Sequence, residues 1–270
     1  MPPEPSAYLF DLDGTLYVGD GPVHGAAEAL ERLRRRRIPF RFVTNTTSRP
    51  RAALAERLRG LGIGAVGEEI HTPLIAAAAL LAERGCRVVA PFSPVASLGD
   101  LGAVTLRGGV TGRRPDACPD AVLVGDLGER WTYGLMQEAF EYLLAGAALV
   151  ALSRDRYFRT EGGLALDAGP FVAGLEYAVG CEATLAGKPS AAFFRAAAAR
   201  LGDGSETRGR IVMVGDDLWS DIRGAQQAGL AAWLVRTGKY RAEAVAESGI
   251  TPDRILDSVA EVGAGIEAPG

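Results

Sequence analysis

The sequence predicts an α/β fold: a parallel sheet covered by helices on both faces, with a second α/β domain inserted into the first. Short apolar runs alternate with helical segments across short loops, the pattern of a buried parallel sheet. The alternation restarts near Cys86 and returns to its first form after Glu182. The most polar clusters follow the apolar runs of the outer segments, at the strand ends where open α/β sheets place their chemistry. The expected organisation is a first core segment over residues 1–85, an inserted domain over 86–182 and a second core segment over 183–270.

The elements follow in order. Residues 7–11 form the first strand, and Gly25–Arg37 a helix with apolar positions at Ala26, Leu30 and Leu33. Its arginines gather at the C-terminal end, where the helix dipole favours them; Arg34–Arg37 is expected to be a solvated helix end. Pro39–Val43 is the next strand and opens onto Thr44-Asn45-Thr46-Thr47-Ser48. Helices are expected over Arg51–Leu61, ended by Gly60 and Gly62, and over Leu74–Arg84. In the inserted domain, Val88–Phe92, Ala103–Leu106, Ala121–Val124 and Ala148–Leu152 read as strands, with helices at Tyr133–Leu144 and Pro170–Val179. Helix Ala191–Leu201, strand Ile211–Val214, helix Ser220–Ala228 and strand Ala231–Val235 complete the core. The Gly/Ala-rich tail after Ala260 is expected to fray.

Composition narrows the function. Hydrophobic residues make up 48% of the 270 and charged residues 23%, an ordinary globular balance with ample core material. A net charge of −4 gives no reason to expect a nucleic-acid partner. Cys86, Cys118 and Cys181 have no paired spacing, which argues against a disulfide framework or a zinc site and favours a reducing cytoplasm. Met1–Pro5 has neither the basic start nor the apolar stretch of a signal peptide. The longest apolar run, Leu74–Ala82, is too short to cross a bilayer, so no membrane association is expected. The chain has one asparagine, Asn45, and two lysines, Lys188 and Lys239, among 29 basic residues. A lysine that survives such a preference for arginine marks a place where a compact point charge is required.

Four polar clusters carry the chemistry. Asp11 and Asp13 stand two apart where the first strand meets Gly14. Two carboxylates facing one pocket need a cation or a shared proton, although Asp and Gly also serve as turn formers. Thr44-Asn45 offers hydroxyl, amide and backbone N–H groups to an anionic oxygen, or else caps a helix. Lys188, between Gly187 and Pro189, is either an exposed cation or a counter-charge for phosphate. Gly215-Asp216-Asp217 with Asp221 follows Ile211–Val214; one acid there suits a helix N-terminus, and three exceed what capping requires.

Together the clusters describe phosphoryl transfer, which needs several donors, a cation and an in-line nucleophile. Asp11 is the expected nucleophile, forming an aspartyl-phosphate. Asp13 gives a proton to the departing oxygen and later takes one from water. Magnesium takes oxygen ligands and keeps waters, so a few carboxylates suffice, with Asp11 and Asp216 the expected side-chain ligands. Lys188 neutralises the incoming phosphate. A response-regulator receiver domain has a similar parts list, but it is one compact unit without a domain-sized insert between its acids.

Asp11-Leu-Asp-Gly-Thr-Leu16, Thr44-Asn45, Gly187-Lys188-Pro189 and Gly215-Asp216-Asp217 with Asp221 resemble, in order, the four motifs of the haloacid dehalogenase superfamily. The insert after the second motif resembles the subfamily that contains the NagD-type, 4-nitrophenyl phosphate and pyridoxal phosphate phosphatases. Arg41–Thr47, Gly163–Leu166, Gly169–Val172 and Val235–Tyr240 extend the likeness over nearly the whole chain. The resemblance implies a Rossmann-like core with an α/β cap and a small phosphorylated substrate. It also implies Mg²⁺ held by Asp11, Asp216 and the main-chain carbonyl of Asp13. Leu12 joins Asp11, Asp13, Thr44, Asn45 and Lys188 as substrate-binding residues, and Asp217 and Asp221 support the metal site or Lys188. Homodimerisation through the cap occurs in related enzymes and is an expectation here. Specificity is expected from Ser48, Arg49, Asp126 and the segment Arg154–Arg159, with cap–core packing and surface charge the competing role for the last two. A non-catalytic phospho-ligand binder and a pyrophosphate or phosphoamide phosphatase are the alternative readings.

Overall fold

Apolar runs become fully buried strands at the centre of two parallel sheets in the computed structural model, which describes residues 5–113, 117–160, 162–201 and 211–264. The chain begins with β1 (Ala7–Asp11), a small hairpin of β2 (Tyr17–Val18) and β3 (Gly21–Pro22), α1 (Ala26–Arg35), β4 (Phe40–Val43), α2 (Arg51–Gly60) and β5 (Ile70–His71). It continues through α3 (Pro73–Glu83), β6 (Val88–Phe92), β7 (Thr105–Leu106), β8 (Ala121–Val124), α4 (Tyr133–Leu144) and β9 (Ala148–Ala151). Hairpin strands β10 (Tyr157–Thr160) and β11 (Gly163–Leu166) follow, then α5 (Ala168–Val179), β12 (Thr184–Leu185) and α6 (Ala191–Ala199). The last elements are β13 (Ile211–Gly215), α7 (Gly224–Gln227), β14 (Ala231–Val235), α8 (Ala242–Ser248) and β15 (Arg254–Leu256).

These elements form two units. One comprises Met1–Thr44, Ala52–His71 and Lys188–Gly270; the other comprises Asn45–Arg51 and Thr72–Gly187. Helix α3 and strand β12 fall in the second unit, where β12 pairs with β9.

The first unit holds a six-stranded parallel sheet in the order β15-β14-β13-β1-β4-β5. Strand β1 is central, with Phe10 opposite Val214 of β13 and Asp11 opposite Val43 of β4. From β1 the chain builds β4 and β5 on one side, and later β13, β14 and β15 on the other. Such a reversal of strand order opens a crevice at the carboxyl ends of the strands. Asp11, Thr44 and Asp216 all emerge along that edge. Every residue of β1 and β13 is buried, as a strand covered on both faces requires. Tyr8, Phe10, Phe42, Leu30 and Leu33 anchor the core on one face, with Leu54, Leu58 and Val259.

The second unit holds a five-stranded parallel sheet, β12-β9-β8-β6-β7, and the separate antiparallel hairpin β10–β11. Phe92, Val122, Val124, Leu149, Val172 and Leu175 form its core. Trp131 stacks between Phe92 and Phe171, with ring centroids 5.8 and 4.8 Å away. Side chains set the helix starts: Thr72 accepts the Ile75 N–H ahead of Pro73 in α3, and Thr132 accepts the Leu135 N–H in α4.

Several elements differ from the sequence expectation. The strand expected at Ala103–Leu106 shortens to Thr105–Leu106. The helix expected at Ser220–Ala228 begins at Leu218, because the Asp217 carboxylate accepts the N–H groups of Trp219 and Ser220. Its first turns are wide, with the Ile222 N–H reaching back to the Asp217 carbonyl at 3.2 Å. The chain does not fray directly after Ala260: Val262 is fully buried, and Arg32 and Arg36 donate to the carbonyls of Val262 and Gly263. Residues 265–270 of that tail lie outside the described residues. The arginine run is correspondingly less solvated than expected, since Arg34 lies over the Phe40 ring and donates to Gly64.

The stability of the first unit rests on this apolar packing. Leu30→Ala, at a position 1% exposed, is expected to cost about 2–5 kcal/mol in chemical denaturation. A loss under about 1 kcal/mol would mean the core collapses around the gap.

Candidate active site

The site is built from loops that follow three neighbouring strands and from the start of α6. Asp11 ends β1, Asp216 follows β13, and Asp221 lies on the wide helical turn after it. Lys188 precedes α6. Its ammonium Nζ donates to Asp11 Oδ1 at 2.5 Å and to Asp221 Oδ1 at 2.6 Å. Relative exposures of 4% for Lys188, 6% for Asp11, 2% for Asp216 and 0% for Asp221 show how thoroughly these charges are buried. One carboxylate oxygen each of Asp11, Asp216 and Asp221 lies within 4.8 Å of the other two.

Burial and like charge dominate the electrostatics. The Asp216 carboxyl is pushed up to about 8, chiefly by burial and then by the charges of Asp11 and Asp221. Burial also raises Asp221, against the pull of Lys188 and with a further push from Asp11. For Lys188, burial alone would favour the neutral amine. Asp11 and Asp221 outweigh it and hold the ammonium above the usual lysine range. Asp13 is exposed as a residue, yet its carboxyl is raised, first by the surrounding protein and then by Asp11. Asp217 runs the other way, since Lys239 and two backbone N–H groups overcome its burial and lower it.

Three buried carboxylate oxygens that crowd one another, with only one buried lysine among them, fit a hard divalent cation. The backbone fits it too. Gly14, at φ +92°, and Gly238, at φ +57°, both pack against Asp216 Oδ2, and a Cβ on either would overlap that oxygen. The cluster can therefore hold a divalent cation, with the Asp13 carboxyl in the same loop.

The structure thus brings Asp11, Lys188, Asp216 and Asp221 together, with Asp13 two residues beyond Asp11 and Asp217 bonded to the Asp221 carboxylate through its N–H at 3.1 Å. Leu12 is fully buried, and its carbonyl accepts the N–H of Leu16 at 2.8 Å, which shapes the loop. Thr44 is buried one residue past β4, and its N–H donates to the His71 carbonyl at 3.2 Å, so that donor belongs to the sheet edge. Asn45 packs with the second unit, where its Nδ2 donates to Asp155 Oδ2 at 3.2 Å. Among the specificity candidates, the Asp126 N–H donates to Thr47 Oγ1 and Arg154 pairs with Glu176. The side chain of Arg159 lies outside the described residues. Sequence reasoning did not assign Thr237, Gly238 or Lys239 to this site. The rarity of lysine in this chain was the available signal for Lys239.

Comparisons with known proteins agree with the geometry. Residues 8–96 match a family model described as haloacid dehalogenase-like hydrolase, and residues 185–262 match one described as HAD-hydrolase-like. Human haloacid dehalogenase-like hydrolase domain-containing protein 2 is 42% identical over 236 residues, covering 87% of this chain and 86% of the relative. Human phospholysine phosphohistidine inorganic pyrophosphate phosphatase is 35% identical over 262 residues, 94% and 91% of the two chains. Among solved structures, NagD from E. coli K-12 superposes with a TM-score of 0.83 at 28% identity, covering 96% of this chain and 98% of that one. A glycerol phosphate phosphatase from Mycobacterium tuberculosis, in complex with magnesium, gives 0.82 at 34% identity, covering 96% and 76%.

The raised Asp216 carboxyl links cation binding to pH. Without a cation, the folded protein holds a proton on Asp216 that the unfolded chain, at 3.8, has already released. Cation-free stability therefore falls as pH rises through the window from about 4 to about 8. A cation bound at the cluster would displace that proton, so any divalent-cation stabilisation is expected to grow across the same window. Melting temperatures with and without Mg²⁺ at about pH 5 and about pH 8 check this; a larger cation effect at the lower pH would overturn it.

Proposed function

Since this chain belongs to the haloacid dehalogenase-like hydrolases and is a phosphatase of their NagD-type subfamily, we propose that it hydrolyses a small phosphorylated compound through an aspartyl-phosphate on Asp11. The observation that carries this reading is the Lys188 ammonium bonded to Asp11 and Asp221 beside Asp216. An attacking carboxylate, a fixed positive charge and an acidic cluster then share one strand edge.

In the proposed reaction an Asp11 carboxylate oxygen attacks phosphorus while the bond from phosphorus to the leaving oxygen breaks. Asp13 donates its proton to that oxygen. Its raised carboxyl supports the role, since the group holds a proton above the ordinary carboxylate range. Deprotonated Asp13 then takes a proton from water. The water oxygen bonds to phosphorus, the Asp11–phosphorus bond breaks, and inorganic phosphate leaves. Lys188 offsets the negative charge of the substrate and of phosphorylated Asp11. The Leu12 main chain, in the loop after β1, and the Thr44 side chain, one residue past β4, are the proposed contacts to the phosphoryl group, with Asn45 next in the chain.

Asp11, Asp216 and the Asp13 carbonyl would hold magnesium, which when bound supplies positive charge against the phosphoryl oxygens. Asp221 lies in the same cluster, but its oxygens are engaged by Lys188 and the Asp217 N–H, so it supports the ligands. No helix among the described residues is long and apolar enough to cross a membrane. We propose a cytoplasmic enzyme acting on a dissolved metabolite.

Turnover of 4-nitrophenyl phosphate with Mg²⁺ tests the proposal. Asp11→Asn is expected to abolish it, and Asp13→Asn to lower it about 10²–10⁴-fold. Equal rates from the wild-type and Asp11→Asn proteins would defeat the mechanism. A panel of phosphorylated metabolites, with pyrophosphate and phosphohistidine included, then identifies the substrate. Binding of esters without turnover would favour a non-catalytic receptor.

A further inference from the structure

The loop after β14 makes several contacts to the acidic cluster that the proposed chemistry does not use. Thr237 Oγ1 donates to the Gly14 carbonyl at 2.5 Å. The Lys239 main-chain N–H donates to Asp216 Oδ2 at 2.7 Å, and the Lys239 ammonium reaches Asp217 Oδ2 at 3.0 Å. Between them Gly238 packs against Asp216 Oδ2 and against Gly14, in a left-handed conformation that suits glycine. The turn is thus fastened to the loops after both β1 and β13.

The Asp216 carboxylate is gripped by this arrangement. Gly14 and Gly238 lie against Oδ2, and the Lys239 N–H fixes the same oxygen. We propose that the Thr237–Lys239 turn positions Asp216 for cation binding, with Lys239 a positioning residue. Holding Oδ2 in this way fixes the orientation of the Asp216 carboxylate before a cation would bind. Lys239 adds a second tether at the neighbouring acid. Asp217 holds the Trp219 and Ser220 N–H groups and donates its own to Asp221, so the ammonium steadies the whole acidic turn. Partners of this kind orient ligating carboxylates, and their loss weakens metal affinity about 10–100-fold. The inference rests on the magnesium-dependent reading above.

Isothermal titration with MgCl₂ and melting curves of the full chain, with and without Mg²⁺, provide the test. Gly238→Ala forces Asp216 Oδ2 aside and is expected to weaken Mg²⁺ binding about 10–100-fold. Lys239→Met keeps the main-chain donor, loses the tether and is expected to weaken binding about threefold, with the cation-free melting temperature unchanged. In 4-nitrophenyl phosphate turnover both variants should need more Mg²⁺ for half-activation and approach the wild-type kcat at saturating Mg²⁺. A merely structural turn would lower the cation-free melting temperature and leave Mg²⁺ affinity alone, and that result would overturn the inference. Should Gly238→Ala fail to fold, Lys239→Met decides: wild-type affinity in that variant refutes the tether. A wild-type protein that binds no Mg²⁺ would defeat the cofactor reading itself, a distinct outcome from variants that match a Mg²⁺-binding wild type.

Discussion

Lys188 is the charge on which the site depends. Asp11, Asp216 and Asp221 are buried together, and carboxylates so placed repel one another in a medium that screens poorly. The ammonium bonded to both Asp11 and Asp221 makes the cluster tolerable before any cation binds. Removing one partner of a buried pair leaves an uncompensated charge, at a cost of about 3–5 kcal/mol. The neutralisation is partial: the buried ammonium bonds two of the three clustered acids. What remains is a deficit of positive charge at a strand edge, which a divalent cation can satisfy.

The fold places these groups by topology rather than by local sequence. Lys188 and Asp11 are far apart in the chain, yet parallel pairing of β1 with β13 and β4 delivers the carboxyl ends of all three strands to one edge. The inserted second unit interrupts the sequence of the first without interrupting its sheet, because β13 pairs directly with β1. Shielding by the fully buried strands then raises the Asp216 carboxyl and strengthens the bonds of Lys188. Core packing and site electrostatics are in this sense one property.

Much of this was legible in the residues. Ala7–Phe10, Val88–Phe92 and Ala121–Val124 are uninterrupted apolar runs, and the strands built on them match their expected ends. Helix Tyr133–Leu144 shows a clear apolar period and matches in full. The elements that escaped notice are short or exposed: β5 has two residues, and Leu164 and Leu166 of the hairpin face solvent. Such segments owe their pairing to neighbours rather than to their own pattern. At the site, Asp11, Lys188, Asp216 and Asp221 could be read from residue type and position. That Asn45 bonds Asp155, and that the Thr44 N–H is spent on His71, depends on chain segments brought together only by folding.

Residue usage supplies one more physical constraint. A chain that otherwise carries positive charge on arginine keeps two lysines, and both bond acids of the same turn. At position 188 the reason is space: a single nitrogen must sit 2.5–2.6 Å from two carboxylates inside the protein. A planar guanidinium there would spread its charge over a wide fork and push Asp11 and Asp221 apart. Position 239 differs, since its side chain is largely exposed and an ion pair there contributes little by itself. Its value lies in geometry, because the same residue ties Asp217 by its ammonium and Asp216 by its amide. One lysine is required by burial and the other by placement: Lys188 holds Asp11 and Asp221, and Lys239 holds Asp216 and Asp217.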